Sequence, residues 1–237
     1  MILFTATTVI ITAGFPLSSA RKTEVFNIAD QAKCNDLHDL PTILNGPEGG
    51  TFNGIPTVCG GWSSGGAQNK CYQYRDSDNE WKEISTTMVD KRAYAASIKH
   101  DDKMHLFGGY NGQILDKSEF VDYEFSYPGP ILPNPTWYHT ITKVNQTTFI
   151  LAGGITPNSS DTAKTWYYDN ESQIFFKGPA LKQGRRQHAS CTIIDHITKE
   201  KIPVIAGGRY YDDGLFIVLD SIELLMNNQW IPGKIQL

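Results

Sequence analysis

The chain has 237 residues, of which 40% are hydrophobic, and a formal net charge of −4. This length allows a substantial core within a single domain. No block of lysines and arginines stands out, which excludes the electrostatic footprint of a nucleic-acid-binding protein. Eleven Tyr, eleven Phe and five Trp beside 21 Gly and 12 Pro predict many short strands joined by tight turns.

The N-terminal residues 1–20 read MILFTATTVIITAGFPLSSA, an apolar stretch followed by small residues. This pattern predicts a secretory signal peptide cut after Ala20, although no lysine or arginine precedes the apolar stretch. A signal anchor and a buried strand of a cytosolic protein are the alternatives. We expect no membrane span in the mature chain. Residues 21–41 are polar and aperiodic, and we interpret them as a leader that packs against the edge of the domain.

Sequons and cysteines agree with secretion to the extracellular space. Three N-x-S/T triplets, candidates for glycosylation, begin at Asn145, Asn158 and Asn170. The four cysteines are an even number and allow three connectivities. They are Cys34, Cys59, Cys71 and Cys191.

Among these pairings we favour Cys59 with Cys71. The two are expected on neighbouring antiparallel strands joined by the glycine-rich loop GGWSSGGAQNK. Cys34 and Cys191 would then pair or stay free. Four free thiols in a reducing compartment are the alternative.

Four apolar runs that each end in two glycines organise the rest of the chain. They read IPTVCGG, KMHLFGG, TFILAGG and IPVIAGG, and their first glycines are 48, 45 and 54 residues apart. A period near 50 residues indicates a repeat architecture. A strand that ends in a sharp turn close to the next sheet needs positions without Cβ that tolerate positive φ. The pairs are Gly60 and Gly61, Gly108 and Gly109, Gly153 and Gly154, and Gly207 and Gly208.

Each repeat is predicted to be a meander of four short strands, in units of about 42–88, 89–135, 136–181 and 182–237. In the first unit we expect a strand at 42–44 and a turn over 45–50. In the later units the first strand is expected to start at Arg92, Tyr138 and Arg186. An aromatic residue lies 18 to 22 residues after each glycine pair, where it can fill the space between successive sheets. These aromatics are Trp81, Tyr127, Phe175 and Trp230.

The glycine pair after an apolar strand, the aromatics behind it, and an Arg or His opening the preceding strand resemble the kelch repeat. The match covers residues 42–237 and is nearest to secreted kelch-repeat proteins without a BTB domain. The resemblance implies an all-β fold, a kelch-type β-propeller with one four-stranded blade per repeat. About four blades are recognisable, fewer than complete kelch propellers usually have, so the resemblance predicts an incomplete or open ring.

The sequence offers no catalytic, cofactor-binding or metal site. No H-x-H or H-x-x-x-H spacing places two histidines on one face of a strand or helix. We interpret His139, His188, Arg92, Arg185 and Arg186, at the starts of strands, as structural hydrogen-bonding residues. A propeller enzyme of the galactose-oxidase or glycosidase type is the alternative.

The loops after the glycine pairs are the predicted binding surface. They read WSSGGAQN, YNGQILD, ITPNSSD and RYYDDG, and they differ while the strands stay alike. Dissimilar loops on a fixed scaffold are where recognition usually occurs. The candidate residues are Trp62, Tyr110, Arg209, Tyr210 and Tyr211, which are of types common at binding hot spots. The sequence therefore predicts a secreted, non-catalytic scaffold that binds a protein or glycan partner. A propeller enzyme and a cytosolic kelch interaction protein are the alternatives.

Overall fold

The computed structural model of the chain describes residues 2–4, 8–12, 21–27, 32–33, 38–158 and 160–233. The chain divides into two compact units, Met1–Gly129 and Pro130–Leu237. Regular structure in the described residues is entirely β. None of them belongs to a helix with the length and apolar character needed to cross a membrane.

The first sheet of the N-terminal unit was not predicted. It contains β1 (Ile2–Phe4), β2 (Thr8–Thr12), β3 (Thr23–Asn27) and β4 (Ala32–Lys33), each antiparallel to the next. The β2 segment TVIIT is rich in β-branched residues, which favour a strand. Two of these strands lie within the predicted signal peptide and two within the predicted leader.

The next six strands are β5 (Glu48–Phe52), β6 (Ile55–Cys59), β7 (Trp62–Ser63), β8 (Gly66–Ala67), β9 (Lys70–Arg75) and β10 (Glu80–Thr87). The second sheet has the order β10-β9-β6-β5, and β7 pairs with β8 in a separate hairpin. The predicted strand at 42–44 and turn over 45–50 were wrong, because β5 includes Gly49 and Gly50. A Cβ on Gly50 would lie 2.6 Å from Met104 Cγ, so this glycine allows a close approach rather than a turn.

The third sheet completes the N-terminal unit. Its strands are β11 (Ala96–His100), β12 (Lys103–Phe107), β13 (Ser118–Val121) and β14 (Ser126–Pro128), paired in chain order. Neighbouring sheets of this unit share buried apolar clusters. One cluster is Ile10, Leu40, Leu44, Val58, Tyr72, Tyr74 and Trp81. The other is Phe52, Cys59, Cys71, Ile84, Met88, Met104, Leu106 and Val121.

The C-terminal unit repeats the plan with two sheets. The fourth sheet contains β15 (Thr140–Lys143), β16 (Thr148–Ala152), β17 (Thr165–Asp169) and β18 (Ile174–Lys177). The remaining strands are β19 (Ala189–Ile194), β20 (Lys201–Ala206), β21 (Arg209–Asp212), β22 (Leu215–Val218), β23 (Ile222–Met226) and β24 (Gln229–Pro232). The fifth sheet has the order β19-β20-β23-β24, and β21 and β22 form a separate hairpin. The shared core is Ile150, Ala152, Leu181, Ile205, Leu225 and Trp230.

The first strand of each later repeat begins after the predicted residue. Tyr94, Tyr138 and Gln187 have φ of 56°, 56° and 54°. A left-handed residue interrupts the extended backbone. The strands therefore start beyond it, at Ala96, Thr140 and Ala189.

Five four-stranded antiparallel sheets, each built from consecutive segments, make the described residues an all-β, propeller-like fold. The predicted fold class is confirmed. The second to fifth sheets fall one in each predicted repeat, and the first sheet adds one to the four that the glycine pairs mark.

Candidate functional site

Each glycine pair follows the second strand of its predicted repeat, and two of the four pairs contact the start of the next repeat. All eight glycines have φ between 59° and 103°. A Cβ on Gly60 would lie 2.5 Å from the carbonyl oxygen of Arg92, at the start of the next repeat. The amide of Gly61 donates to the same oxygen over 2.8 Å, and the amide of Gly154 donates to Arg185 in the same way. Apart from Gly108 and Gly207, the space beside each of these glycines is occupied by atoms of neighbouring residues, which leaves no room for a ligand there.

The residue after each glycine pair is fixed by a two-hydrogen-bond bridge to the start of its own repeat. Tyr110 donates to the carbonyl of Ala93 over 2.9 Å, and Ala93 donates back over 3.0 Å. The equivalent bridges join Asn45 to Trp62, Trp137 to Ile155, and Arg186 to Arg209. Each predicted binding loop therefore begins at a rigidly held residue.

Two of the five predicted binding residues meet in the N-terminal unit. The rings of Trp62 and Tyr110 stack with centroids 5.7 Å apart and an interplanar angle of 25°. Both side chains are half-buried. The Gln68 side chain shapes the loop by donating to Ser63 Oγ over 2.9 Å and to the carbonyl of Gly66 over 2.7 Å. The stack leaves a partly exposed aromatic surface on two loops.

The other three predicted residues, Arg209, Tyr210 and Tyr211, lie side by side on β21 of the C-terminal unit. The Arg209 guanidinium carbon lies 4.3 Å from the centre of the Phe216 ring, which is across the hairpin on β22. Arg209 Nε also donates to Gln187 Oε1 over 2.7 Å. Tyr211 contacts the Phe216 ring edge-on at 5.2 Å.

An ion pair fastens this hairpin to the rest of the unit. The Arg186 guanidinium donates to both oxygens of the Asp161 carboxylate, and the distance from Nη2 to Oδ2 is 2.9 Å. The same Oδ2 accepts the backbone amide of Tyr211 over 2.7 Å. Sequence reasoning missed Asp161 and Phe216. The Asp213-Gly214 pair between two β-prone runs is the signal that could have located the hairpin.

Buried arginine–glutamate pairs stabilise the third and fifth sheets. Arg92 is buried and lies 2.7 Å from Glu119 Oε1, and it also donates to the carbonyl of Gly108 over 2.7 Å. Arg185 lies 2.6 Å from Glu223 Oε1 and donates to the carbonyl of Gly207 over 3.0 Å. Each arginine donates to the carbonyl of the first glycine of the pair in its own repeat, so neither guanidinium is available to bind another molecule.

The repeat between them lacks this pair and contains a cavity instead. Thr136 and Trp166 occupy the positions of the arginine and the glutamate. A cavity of about 20 Å³ lies there, lined by both residues and by Asn134 and His139. Within the described residues, Asn134 Oδ1 and both ring nitrogens of His139 are buried without a hydrogen-bond partner. A volume of this size holds one water molecule.

Burial lowers the pKa of His139 from its usual 6.5 to about 3, and nearby His188 acts in the same direction. Burial likewise lowers the pKa of His188 to about 3, and Arg185 adds to the effect. Both imidazoles are therefore neutral at physiological pH. His188 Nε2 lies 2.9 Å from Thr140 Oγ1, and His105 Nε2 lies 2.9 Å from Ser118 Oγ in the third sheet.

Glu48, at the start of β5, has a strongly altered carboxyl group. Burial raises its pKa to about 8, while a hydrogen bond donated by Ser97 Oγ acts in the opposite direction. The Ser97 Oγ to Glu48 Oε2 distance is 2.9 Å. The described residues contain no group of three or more His, Cys, Asp and Glu residues arranged to hold a metal ion.

The four predicted structural aromatics lie in their sheets with unequal burial. Trp81 and Trp230 are buried in the clusters of their units. Tyr127 is half-buried and stacks on Phe120 at 5.1 Å. Phe175 is half-buried beside Tyr168, with ring centres 4.8 Å apart.

The favoured disulfide is confirmed. Cys59 and Cys71 are bonded, and they lie directly opposite each other on β6 and β9 with Cα atoms 4.1 Å apart. Cys191 is an exposed free thiol on β19. Cys34, its predicted partner if the two were to pair, lies outside the described residues. Of the sequon asparagines, Asn145 and Asn158 are exposed and Asn170 is half-buried.

Comparisons with known proteins support the fold. No protein-family model matches the chain, and no curated protein matches its sequence. A solved structure of YjhT is similar, with a TM-score of 0.83 at 14% sequence identity. The alignment covers 97% of this chain and 81% of that chain. A likeness at this identity concerns the fold alone.

Proposed function

We propose that this chain is a non-catalytic binding scaffold of kelch-type repeats, whose loops contact a protein or glycan partner. One observation carries the proposal. Hot-spot residue types stand partly exposed on loops that begin at a hydrogen-bonded bridge. Pre-organised side chains lose little entropy on binding, which favours recognition. The kelch type is supported by Gly61 and Gly154, whose backbone amides each donate to the start of the next repeat.

Binding is tested by comparing two loop variants with a control on the same scaffold. The variants are Trp62→Ala with Tyr110→Ala, and Tyr210→Ala with Tyr211→Ala. The control is Ile174→Ala with Phe176→Ala, because these two side chains are exposed on β18, away from the glycine loops. A glycan array and an affinity capture from extracellular fluid are probed with the wild type, the two loop variants and the control.

We expect at least one loop variant to lose more than tenfold in retention of a ligand that the control retains. Equal retention by all variants would remove the loops from the binding site. Stoichiometric copper in the purified protein would instead favour the enzyme alternative.

An extracellular location is part of the proposal and is supported by the Cys59–Cys71 disulfide, since disulfides persist in oxidising compartments. Participation of β1 and β2 in the first sheet counts against removal of residues 1–20. Sequencing the N-terminus of the protein purified from its source decides the point. A terminus at Arg21 with glycan mass supports secretion by signal-peptide cleavage, whereas an intact Met1 without glycan mass contradicts it.

A further inference from the structure

The outer edge of the β21–β22 hairpin has a defined hydrogen-bonding pattern. Asp213 and Gly214 have φ of 42° and 88°, as a two-residue type I′ turn requires. In this geometry Leu215 and Ile217 direct their backbone groups toward β21, and Phe216 and Val218 direct theirs away. The opposite edge shows the same alternation. There the backbone amides of Arg209 and Tyr211 point outward, and they donate to the carbonyl of Arg186 and to the Asp161 carboxylate.

The two edges of the hairpin differ in how they are covered. Arg186 and Asp161 occupy the β21 edge. Among the residues that the structure describes, no strand pairs with the outer edge of β22. Its four residues have the sequence LFIV and exposures of 66%, 51%, 37% and 79%.

The β22 edge is only four residues long, which limits pairing, but it lacks the residue types that usually prevent edge-to-edge association. It contains no proline, no lysine and no other charged residue. Its residues are apolar, and three of the four are aromatic or β-branched. The contacts of Arg209 and Tyr211 with Phe216 hold the strand in place, so a partner strand meets an ordered edge.

Self-pairing satisfies this edge with no other component. Phe216 and Val218, which carry the outward backbone groups, are placed symmetrically about Ile217. An antiparallel copy related by a two-fold axis at Ile217 would pair Phe216 of each chain with Val218 of the other. This arrangement forms four backbone hydrogen bonds and brings the two Ile217 side chains together. With no charge on the strand, no like charges meet at the axis.

We propose that β22 pairs with β22 of a second copy of this chain, so that two hairpins form one four-stranded sheet. The interface is isologous, as in most two-fold dimers. Four residues per chain bury less than the ~1,200 Å² typical of a stable complex. The dimer is therefore weak and dissociates on dilution. The inference does not depend on the partner of the scaffold.

The first test measures mass by sedimentation velocity over a wide concentration range. Val218→Pro removes an outward N–H and leaves the inward bonds of the hairpin intact. The control Val218→Ala removes the same side chain but keeps the N–H. We expect the wild type to dimerise with rising concentration, Val218→Ala to dimerise at least partly, and Val218→Pro to dimerise at least tenfold more weakly than Val218→Ala. A wild type that stays monomeric, or a dimer that Val218→Pro does not weaken, overturns the proposal.

The second test fixes the register. In a Cys191→Ser background, Ile217→Cys places two thiols directly across the axis, as Cys59 and Cys71 lie across β6 and β9. The control is Leu215→Cys, on the same face of the sheet as Ile217. Because residue 215 lies two residues before the two-fold axis on each chain, the two engineered cysteines would be about 13 Å apart. We expect a disulfide-linked dimer from Ile217→Cys at the engineered cysteines and none from Leu215→Cys. Equal cross-linking by both variants contradicts the register, and absence of cross-linking in both contradicts the pairing.

Discussion

At the scale of single residues, the buried histidines of the C-terminal unit connect packing to pH. His139 and His188 are held neutral because burial lowers the pKa of each to about 3. In the unfolded chain each regains a pKa near 6.5. Between these two values the unfolded state binds more protons than the folded state. Their contribution to stability is therefore fully present above pH 6.5 and is lost as the pH falls below it.

We predict that His139→Leu makes the stability less sensitive to acid. Each such histidine contributes about 1.4 kcal/mol of lost unfolding free energy per pH unit below 6.5. Urea unfolding of wild type and variant from pH 4 to pH 8 should give a slope that is shallower by about that amount for the variant. The exposed turn histidine His196 provides the control, and His196→Gln should keep the wild-type slope. Parallel wild-type and His139→Leu profiles would contradict the buried neutral state.

Side-chain contacts also explain why the residue-level predictions succeeded unevenly. Cys59 and Cys71 could be paired because a short glycine-rich loop returns one strand beside the other. Trp62 and Tyr110 could be selected by residue type, but nothing in the sequence shows that their rings stack. Asp161 was not foreseen, because its roles toward Arg186 and Tyr211 depend on contacts across 25 and 50 residues of chain.

At the scale of elements, a buried arginine–glutamate pair stabilises the second repeat and another stabilises the fourth. Removing one partner of a buried pair leaves an uncompensated charge, which costs about 3–5 kcal/mol. We therefore predict that Glu119→Gln lowers the unfolding free energy by several kcal/mol. Thermal and urea unfolding measure the change.

The exposed Lys70–Glu83 pair is the matched control. Glu83→Gln should change the unfolding free energy by less than about 1 kcal/mol. In the double variant Arg92→Met with Glu119→Leu the loss should be smaller than in Glu119→Gln, because no charge is left unpaired. A loss from Glu119→Gln as small as that from Glu83→Gln would contradict the role of the pair.

The fourth sheet lacks the buried arginine–glutamate pair, which can be introduced there by substitution. Thr136→Arg alone places a charge in a cavity lined by Trp166 and should destabilise the protein. Adding Trp166→Glu restores the arrangement of the neighbouring repeats and should recover about 3 kcal/mol or more relative to the single variant. A crystal structure of the wild type should show one ordered water beside His139 and Asn134, which the double variant displaces. If the losses of unfolding free energy from Thr136→Arg and Trp166→Glu simply add in the double variant, the repeats are not equivalent at these positions.

Strand boundaries show what sequence patterns determine at this scale. The four glycine pairs located the ends of β6, β12, β16 and β20, because only glycine accepts the close backbone approach there. The starts of β11, β15 and β19 were misplaced because Tyr94, Tyr138 and Gln187 adopt positive φ without being glycine. Tertiary hydrogen bonds impose that conformation, as between the amide of Tyr94 and the carbonyl of Gly46.

At the scale of the whole molecule, the first sheet is the largest departure from the sequence prediction. Its strands lack a glycine pair, so the repeat pattern did not reveal them. Ile10 of β2 nevertheless packs in the same cluster as Leu40, Leu44 and Trp81. The Trp81 Nε1 also donates to Thr23 Oγ1 over 3.1 Å.

We predict that a chain beginning at Arg21 is less stable than the full chain. The deletion removes Ile10 from the core and should cost at least about 2 kcal/mol of unfolding free energy. Urea unfolding followed by tryptophan fluorescence measures the loss, and Trp81 should become more exposed. Equal stability of the two proteins would show that β1 and β2 do not support the fold, and would favour the signal-peptide interpretation of residues 1–20.

The bridge at the base of each glycine loop makes the C-terminal unit a candidate for peptide display. Ile155 bridges Trp137 on one side and Asp161 on the other, so the loop between Ile155 and Asp161 is closed at its base. A foreign peptide inserted after Asn158 would be tethered at both ends to the scaffold without altering a strand. The melting temperature of such a graft should stay within about 2 °C of the wild type, because surface insertions cost little closure entropy. The fold would then serve as a carrier for sequences that it did not evolve to hold.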